Sequence, residues 1–312
     1  MAGRTTQRAA GTSRLGLGLA ALGRPAYINV GRGELPADRS VDAMRAASWR
    51  VLDDAYAAGV RWVDVARSYG RAEEFLADWL AAREPAGLTV SSKWGYAYVG
   101  DWRLDAPVHE VKEHSLARFT AQWAQTSALL GPALSLYQVH SLTADSPLFD
   151  DLALQDALTA LPVRVGFSTS GPRQAETVRR ALALERHGSP VFTAVQSTWN
   201  VLEPSVGEAL AEAHAAGAHV LVKEALANGR LAVSPPARVA GLAAAHGVGP
   251  DAVALAAVLA RPWADTVLLG PAGPGQLRSN LAALRVPEAG DLGELAVEPE
   301  TYWRDRAALA WS

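Results

Sequence analysis

The 312-residue chain contains no cysteine. Disulfide frameworks, thiolate metal sites, iron–sulfur clusters and cysteine nucleophiles are thereby excluded. Lysine is scarce as well: among 29 basic residues only Lys93, Lys112 and Lys223 are lysines. Long apolar runs are missing, and Val253–Ala260, among the longest, falls well short of the ~18 residues that suggest a membrane span. No sign of charge dominates, since the net charge is −3 and the pI about 6.2. The chain therefore carries no basic footprint for nucleic acid or an anionic membrane, and neither is expected as a partner. No metal-ligand spacing stands out among its histidines and carboxylates, so no metal is expected. These absences describe a globular protein whose expected location is the cytoplasm.

What is present is ample material for a core, with hydrophobic types making up 49% of the sequence. The stretch Met1–Arg14 carries Arg4, Arg8 and Arg14, several hydroxyl residues and no acid. That composition overlaps transit peptides, but it lacks an apolar stretch and precedes the first ordered strand, so residues 1–14 read as a disordered tail. Residues 15–312 read as one domain with a C-terminal tail.

Short apolar or β-branched runs recur at Leu15–Leu19, Arg61–Val65, Leu88–Lys93, Leu134–His140, Val163–Ser168, Thr193–Ser197, His219–Lys223 and Thr266–Leu269. Each is bounded by turn signals, as strands are. Helical patterns lie between them, at Ser40–Ala58, Ala72–Ala82, Val108–Leu130, Arg173–His187, Pro204–Ala216, Pro235–His246, Pro250–Ala260 and Pro274–Leu284. Gly59, Gly188, Gly217 and Gly247 sit where helices end on glycine, and Pro204, Pro235 and Pro250 where helices begin. A doubly wound sheet would need a glycine fingerprint after its first strand, and Gly16, Gly18 and Gly23 have the wrong spacing for one. Eightfold strand–helix alternation instead predicts an α/β fold, a (β/α)8 TIM barrel.

Active sites of such barrels lie at the C-terminal ends of the strands. Asp64, Lys93, His140, Ser168 and Lys223 occupy those ends, Gln196 lies near one, and Tyr69 follows Asp64 on a loop. With these residues on one rim, the chain resembles the aldo-keto reductase family. The resemblance is carried by Asp64-Val-Ala-Arg-Ser-Tyr69-Gly70, Ser91-Ser-Lys93-Trp-Gly95 and Leu136-Tyr-Gln-Val-His140. Leu15-Gly-Leu-Gly18, Gly166-Phe-Ser168, Gln196-Ser-Thr-Trp-Asn200, and Gly270 followed by Asn280 extend it over most of the chain.

The resemblance implies reversible reduction of an aldehyde or ketone, with a nicotinamide cofactor as hydride source. Carbonyl reduction also needs a proton, and a phenol is a weak acid unless its anion is stabilised. Tyr69 is the expected general acid/base, Lys93 its tuner by lowering the phenol pKa, Asp64 the anchor of Lys93, and His140 the group that orients the carbonyl. The resemblance further implies that Gly18, Ser168, Thr169, Gln196, Lys223, Leu226, Gly270, Ala272, Gln276 and Asn280 bind the cofactor, with phosphate received at the Gly270–Gly275 loop. NADP(H) is the family expectation over NAD(H), although Gln276 stands where some members carry arginine. Lys223 also stands where an aromatic often stacks on nicotinamide, and Thr169 where asparagine is frequent.

Aromatics after the catalytic lysine, Trp94 and Tyr96, together with Trp199, are candidates to bind a substrate with an apolar, aromatic or sugar-like body. Tyr302, Trp303 and Trp311 are candidates to close the pocket. His109 and His114 read as exposed helix residues. Two other readings compete: a cofactor-binding regulatory protein with little turnover, and a Schiff-base lyase using Lys93.

Overall fold

The computed structural model describes residues 11–311. Its core is a closed eight-stranded barrel: β1 (Leu15–Gly18), β2 (Trp62–Asp64), β3 (Thr89–Trp94), β4 (Leu134–Leu142), β5 (Arg164–Thr169), β6 (Ala194–Thr198), β7 (His219–Lys223) and β8 (Thr266–Leu269). All neighbours pair in parallel, and β1 pairs with β8 to close the ring, with Leu15 opposite Val267. Each of the eight expected strands is present within two residues of its expected ends.

Side chains alternate between the two faces of a strand, and this parity organises the whole interior. Leu15, Leu17, Val63, Val90, Tyr137, Val139, Phe167, Val195, Val220, Val222 and Val267 belong to the main core cluster between strands and helices. The complementary positions fill the barrel. Leu136, Ala194, Leu221 and Leu268 form a separate apolar cluster with Trp62 packed against it. Two residues further along the same strands come Asp64, Gln138, Gln196 and Lys223. The barrel is therefore plugged by hydrocarbon below and polar towards the C-terminal rim.

Two expected helices give way in part to hairpins. In 108–130, Glu110–Lys112 forms a strand paired antiparallel with Tyr96–Tyr98. The helix starts only at Leu116, where the Ser115 hydroxyl accepts the Arg118 N–H at 3.1 Å. In 173–187, the helix ends at Leu182 and a second hairpin joins Glu185–Arg186 to Ser189–Pro190. His187 (φ 51°) and Gly188 (φ 76°) are its tip, the left-handed pair that two-residue hairpins demand, and not a helix C-terminus. Pro250 does open its helix, whereas the helices after Pro204 and Pro235 begin at Gly207 and Ala237. The sequence patterns missed the helices Leu152–Thr159, Arg230–Val233 and Pro299–Ala307.

Residues 1–10 of the expected disordered tail lie outside the described residues. Its last residue is held: the Arg14 guanidinium donates to the carbonyls of Leu259, Arg261 and Ala264 at 2.7–3.1 Å, capping the end of the helix Pro250–Leu259. No single helix among the described residues is long and apolar enough to cross a membrane.

The loop between β1 and the first helix packs on the loop that carries Tyr69. Gly23 accepts the Arg71 N–H through its carbonyl at 2.8 Å, and a Cβ on Gly23 would lie 2.3 Å from the Tyr69 carbonyl oxygen. The next contact is Ala72 Cβ at 2.5 Å, which is fixed to its own backbone, so nothing flexible can yield. Gly23→Ala is expected to cost about 1–3 kcal/mol by overpacking. Urea unfolding of the variant checks this, and an unchanged midpoint would refute the close approach.

Candidate active site

The C-terminal rim opens into a cavity of about 600 Å³ lined by Asp64, Tyr69, His140, Gln196 and Lys223 at one end and by Gly270, Ala272, Gln276 and Asn280 at the other. That volume lies in the usual range for small-molecule sites.

Asp64 ends β2 inside the barrel. One carboxylate oxygen forms an ion pair with Lys93 Nζ. The other accepts from Ser91 Oγ at 2.7 Å, Gln196 Nε2 at 3.1 Å and Gln138 Nε2 at 3.2 Å. The carboxylate is buried with its acceptor sites filled, as a buried charge requires. Lys93 is fully buried, and its ammonium also donates to the Val65 carbonyl at 3.0 Å and to Tyr69 Oη at 3.3 Å. Three hydrogens thus have three acceptors. Because Lys93 donates to the phenol oxygen, the phenol's own hydrogen is free to point into the cavity.

Burial and the Asp64 carboxylate raise the Tyr69 pKa well above its usual value, with Arg24 opposing them. Tyr69 is consequently a neutral phenol at physiological pH. His140 is driven well below its ordinary pKa by burial and by the cations Lys93, Lys223 and Arg24, so its imidazole is neutral. Its Nδ1 lies 3.4 Å from Ser68 Oγ. With the Ser68 hydroxyl as donor there, the proton sits on Nε2. The Tyr69 and His140 rings meet edge to face at 5.5 Å.

Several participants escaped the sequence reading. Ser91 and Gln138 lie two residues before Lys93 and His140 on the same strands, so strand parity was the signal that pointed to them. Arg24 had no such signal. It is buried, pairs with Glu110 at 2.8 Å, and donates to the Ser68 carbonyl at 3.1 Å. Its guanidinium lies over the rings of Tyr27, Trp311 and Tyr69 at 4.6, 4.9 and 5.2 Å. His114, expected to be exposed, is buried; its Nε2 reaches the His140 carbonyl and its Nδ1 reaches Ser146 Oγ, both at 2.9 Å. A carbonyl only accepts, so His114 carries its proton on Nε2. His109 is also buried, stacked on Trp311 at 4.3 Å.

Among the cofactor candidates, Gly18, Gln196, Lys223, Leu226, Gly270, Ala272, Gln276 and Asn280 line the cavity. Ser168 and Thr169 do not. Ser168 Oγ accepts the Ser141 N–H at 2.8 Å. Thr169, one residue on, faces the opposite side of β5, where its hydroxyl meets Ser197 Oγ at 2.7 Å and Gln174 Oε1 at 2.9 Å. The same parity removes two substrate candidates. Trp94 follows inward-facing Lys93 and packs outward on Phe119 and His114. Trp199 lies against Trp263 with centroids 5.7 Å apart. Tyr96 lines the cavity, 5.0 Å from the His140 ring. Of the tail aromatics Trp311 lines the cavity, whereas Tyr302 and Trp303 are buried beneath.

Lys223 donates to Thr198 Oγ1 at 3.0 Å and lies 3.8 Å from Glu224. Burial lowers its pKa to about 8. Glu224 is buried too, yet Arg306 and Lys223 hold its carboxyl down at about 2. Among the described residues no group of histidines and carboxylates is arranged to hold a metal ion.

The sequence matches the model of the Aldo/keto reductase family over residues 14–289. The chain belongs to that family. As an aldo-keto reductase it is an oxidoreductase of small carbonyl compounds, in a family that uses nicotinamide cofactors. Its barrel is similar to that of a Pseudomonas aeruginosa protein assigned to the aldo-keto reductases, at 23% identity and a TM-score of 0.61, covering 88% of this chain and 90% of that one. It is also similar to an aldo-keto reductase of Bacillus halodurans in holo form, at 19% identity and a TM-score of 0.62, covering 94% and 91%. These likenesses carry the fold alone. No curated protein sequence matches the chain.

The reductase holds Lys93 in a dry site only by virtue of Asp64. Asp64→Asn removes the counter-charge and is expected to cost about 3–5 kcal/mol. The double variant Asp64→Asn/Lys93→Met is expected to recover much of that loss, since no buried charge remains. Denaturant unfolding of the three proteins measures both terms.

Proposed function

We propose that the reductase interconverts an aldehyde or ketone and its alcohol, with Tyr69 as general acid/base and a nicotinamide dinucleotide along the cavity. The observation that carries this reading is the arrangement Asp64–Lys93–Tyr69–His140: a buried neutral phenol and a neutral imidazole facing one cavity, both held from behind. The nicotinamide supplies the hydride when it is bound.

The residues present suit such a ligand. The cavity runs from Tyr69 to Asn280. Asn280 Nδ2 donates to Asp251 at 2.7 Å, while its Oδ1 is buried without a partner. An orphaned acceptor at that end suits an amino-bearing ring such as adenine. Gly270 and Ala272 leave room for the dinucleotide beside the helix Pro274–Leu281, whose first-turn Gly275 N–H is already taken by the Glu34 carboxylate. In this reading Lys223 stands near the hydride-transferring end in place of a stacking ring.

The chemistry of the side chains follows from their states. His140 Nε2–H donates to the carbonyl oxygen and fixes its angle. Tyr69 passes its proton to that oxygen as negative charge develops there. The phenolate so formed is next to Lys93, whose hydrogen bond to Oη strengthens as charge arrives. Asp64 acts at one remove, holding the Lys93 ammonium in place. Tyr96 and Trp311 at the mouth give the substrate's remainder apolar surface.

The regulatory reading is disfavoured by the complete tetrad, and the Schiff-base reading by the commitment of all three Lys93 hydrogens. An imine needs the amine to reach a substrate carbonyl, and Lys93 is fully buried behind Tyr69 and does not line the cavity.

Tyr69→Phe is expected to lower kcat by about 10²–10⁴ while dinucleotide binding persists; full turnover by that variant would overturn the assignment. The pH profile provides an independent check. Reduction uses the neutral phenol and neutral imidazole, so kcat for reduction should show no inflection between pH 5.5 and 7.5, where an unperturbed histidine titrates. Alcohol oxidation uses the phenolate, whose fraction grows with pH below its raised pKa, so that direction should accelerate as pH rises towards about 10.

A further inference from the structure

The segment after β1 does not leave the barrel rim directly. Residues 27–34 cross the cavity to the loops that follow β7 and β8. Val30 N–H donates to the Asn228 carbonyl at 2.9 Å and Asn228 Nδ2 to Asn29 Oδ1 at 3.2 Å. Gln276 Nε2 donates to the Gly31 carbonyl, and Gln276 Oε1 accepts the Ala272 N–H at 2.8 Å. The strap ends with Glu34, whose Oε2 accepts the Gly275 N–H at 2.7 Å.

Glu34 lies directly on the backbone of the β8 loop. A Cβ on Gly273 would come within 2.5 Å of Glu34 Oε2, and one on Gly275 within 2.5 Å of Oε1. These two glycines are therefore what admits the carboxylate. It takes a free N–H in the first turn of the helix Pro274–Leu281, at the positive end of the helix dipole. The segment Gly270-Pro-Ala-Gly-Pro-Gly-Gln276 has no charged residue to offset it. Arg278 is exposed and lies off the cavity. Glu34 thus lies at this end together with Asp251, the buried carboxylate that takes Asn280 Nδ2, while the guanidinium of Arg32 on the same strap turns to the Ala21, Arg24 and Pro25 carbonyls.

We propose that Glu34 determines cofactor selectivity in favour of NAD(H). The proposal rests on the reading of this cavity as a nicotinamide-dinucleotide site. With the adenosine half at Gly270–Asn280, a 2′-phosphate would compete with Glu34 for the same N–H groups and meet its negative charge. A ribose 2′-hydroxyl instead donates to that carboxylate, the interaction by which acidic residues select NAD over NADP. The family expectation of NADP(H) is reversed in this chain because the seat for the extra phosphate is already filled by an acid.

The test is a titration of tryptophan fluorescence with NADH and NADPH, and with 5′-AMP and 2′,5′-ADP as probes that lack nicotinamide. Wild type and Glu34→Gln are compared, Glu34 being exposed and the change isosteric. The unmodified protein is expected to bind NADH at least tenfold more tightly than NADPH, which corresponds to about 1.4 kcal/mol. Glu34→Gln should shrink that ratio at least fivefold, chiefly by tightening NADPH, and should tighten 2′,5′-ADP more than 5′-AMP. Preference of the wild type for NADPH, or an unchanged ratio in Glu34→Gln, would overturn the proposal and leave Glu34 as a helix cap. Failure of both dinucleotides to bind either protein would overturn the cofactor reading itself, and this proposal with it.

Discussion

The buried ion pair between Asp64 and Lys93 is the interaction on which the rest of the site depends. Neither charge reaches solvent: side-chain exposure is 3% for Asp64 and 0% for Lys93. An ammonium in that position is tolerable only with a counter-charge and a full set of acceptors. Asp64 supplies the first. Its remaining lone pairs tie in Ser91, Gln138 and Gln196, so four barrel strands converge on one carboxylate. Burial, and after it the Asp64 carboxylate, keeps Tyr69 a neutral phenol. In the reaction proposed above, the Lys93 hydrogen bond to Tyr69 Oη strengthens when negative charge arrives there. In that proposal the stabilisation is held for the charged state of the phenol and is not spent on the resting one.

Around this pair the protein builds two shells by different means. Below, the Leu136–Ala194–Leu221–Leu268 plug seals the barrel against water. Above, two loops with little regular structure bring charge and aromatic surface: Arg24 between Tyr27, Tyr69 and Trp311, and the strap that ends on Glu34. Arg24 holds the Ser68 carbonyl, and Ser68 in turn faces His140. His114 holds the carbonyl of His140 itself. Orientation of the imidazole therefore depends on residues from the β1 loop and from the hairpin that interrupts the expected helix over 108–130. The opposite end of the cavity is organised by backbone: glycines at 273 and 275 let a carboxylate rest where side chains would otherwise stand.

The barrel, its eight strands and the four residues Asp64, Tyr69, Lys93 and His140 were legible in the sequence. Strand spacing, glycine and proline signals, and residue types at strand ends are local properties, and one closed topology satisfies them all. Strand parity was legible too. It places Trp94 and Thr169 on the outer face because Lys93 and Ser168 are on the inner one, and it marks Gln138 and Ser91 as neighbours of Asp64. Only the tertiary structure decided the rest. The hairpin at Tyr96–Tyr98 and Glu110–Lys112 overrode a helical pattern because its two strands stabilise each other across an intervening loop. Arg24, Glu34 and Trp311 come from segments without periodicity, and their partners on other loops are 44 to more than 200 positions away along the chain. What such residues do is set by which loops the closed barrel brings together at its rim, a long-range consequence that no local pattern records.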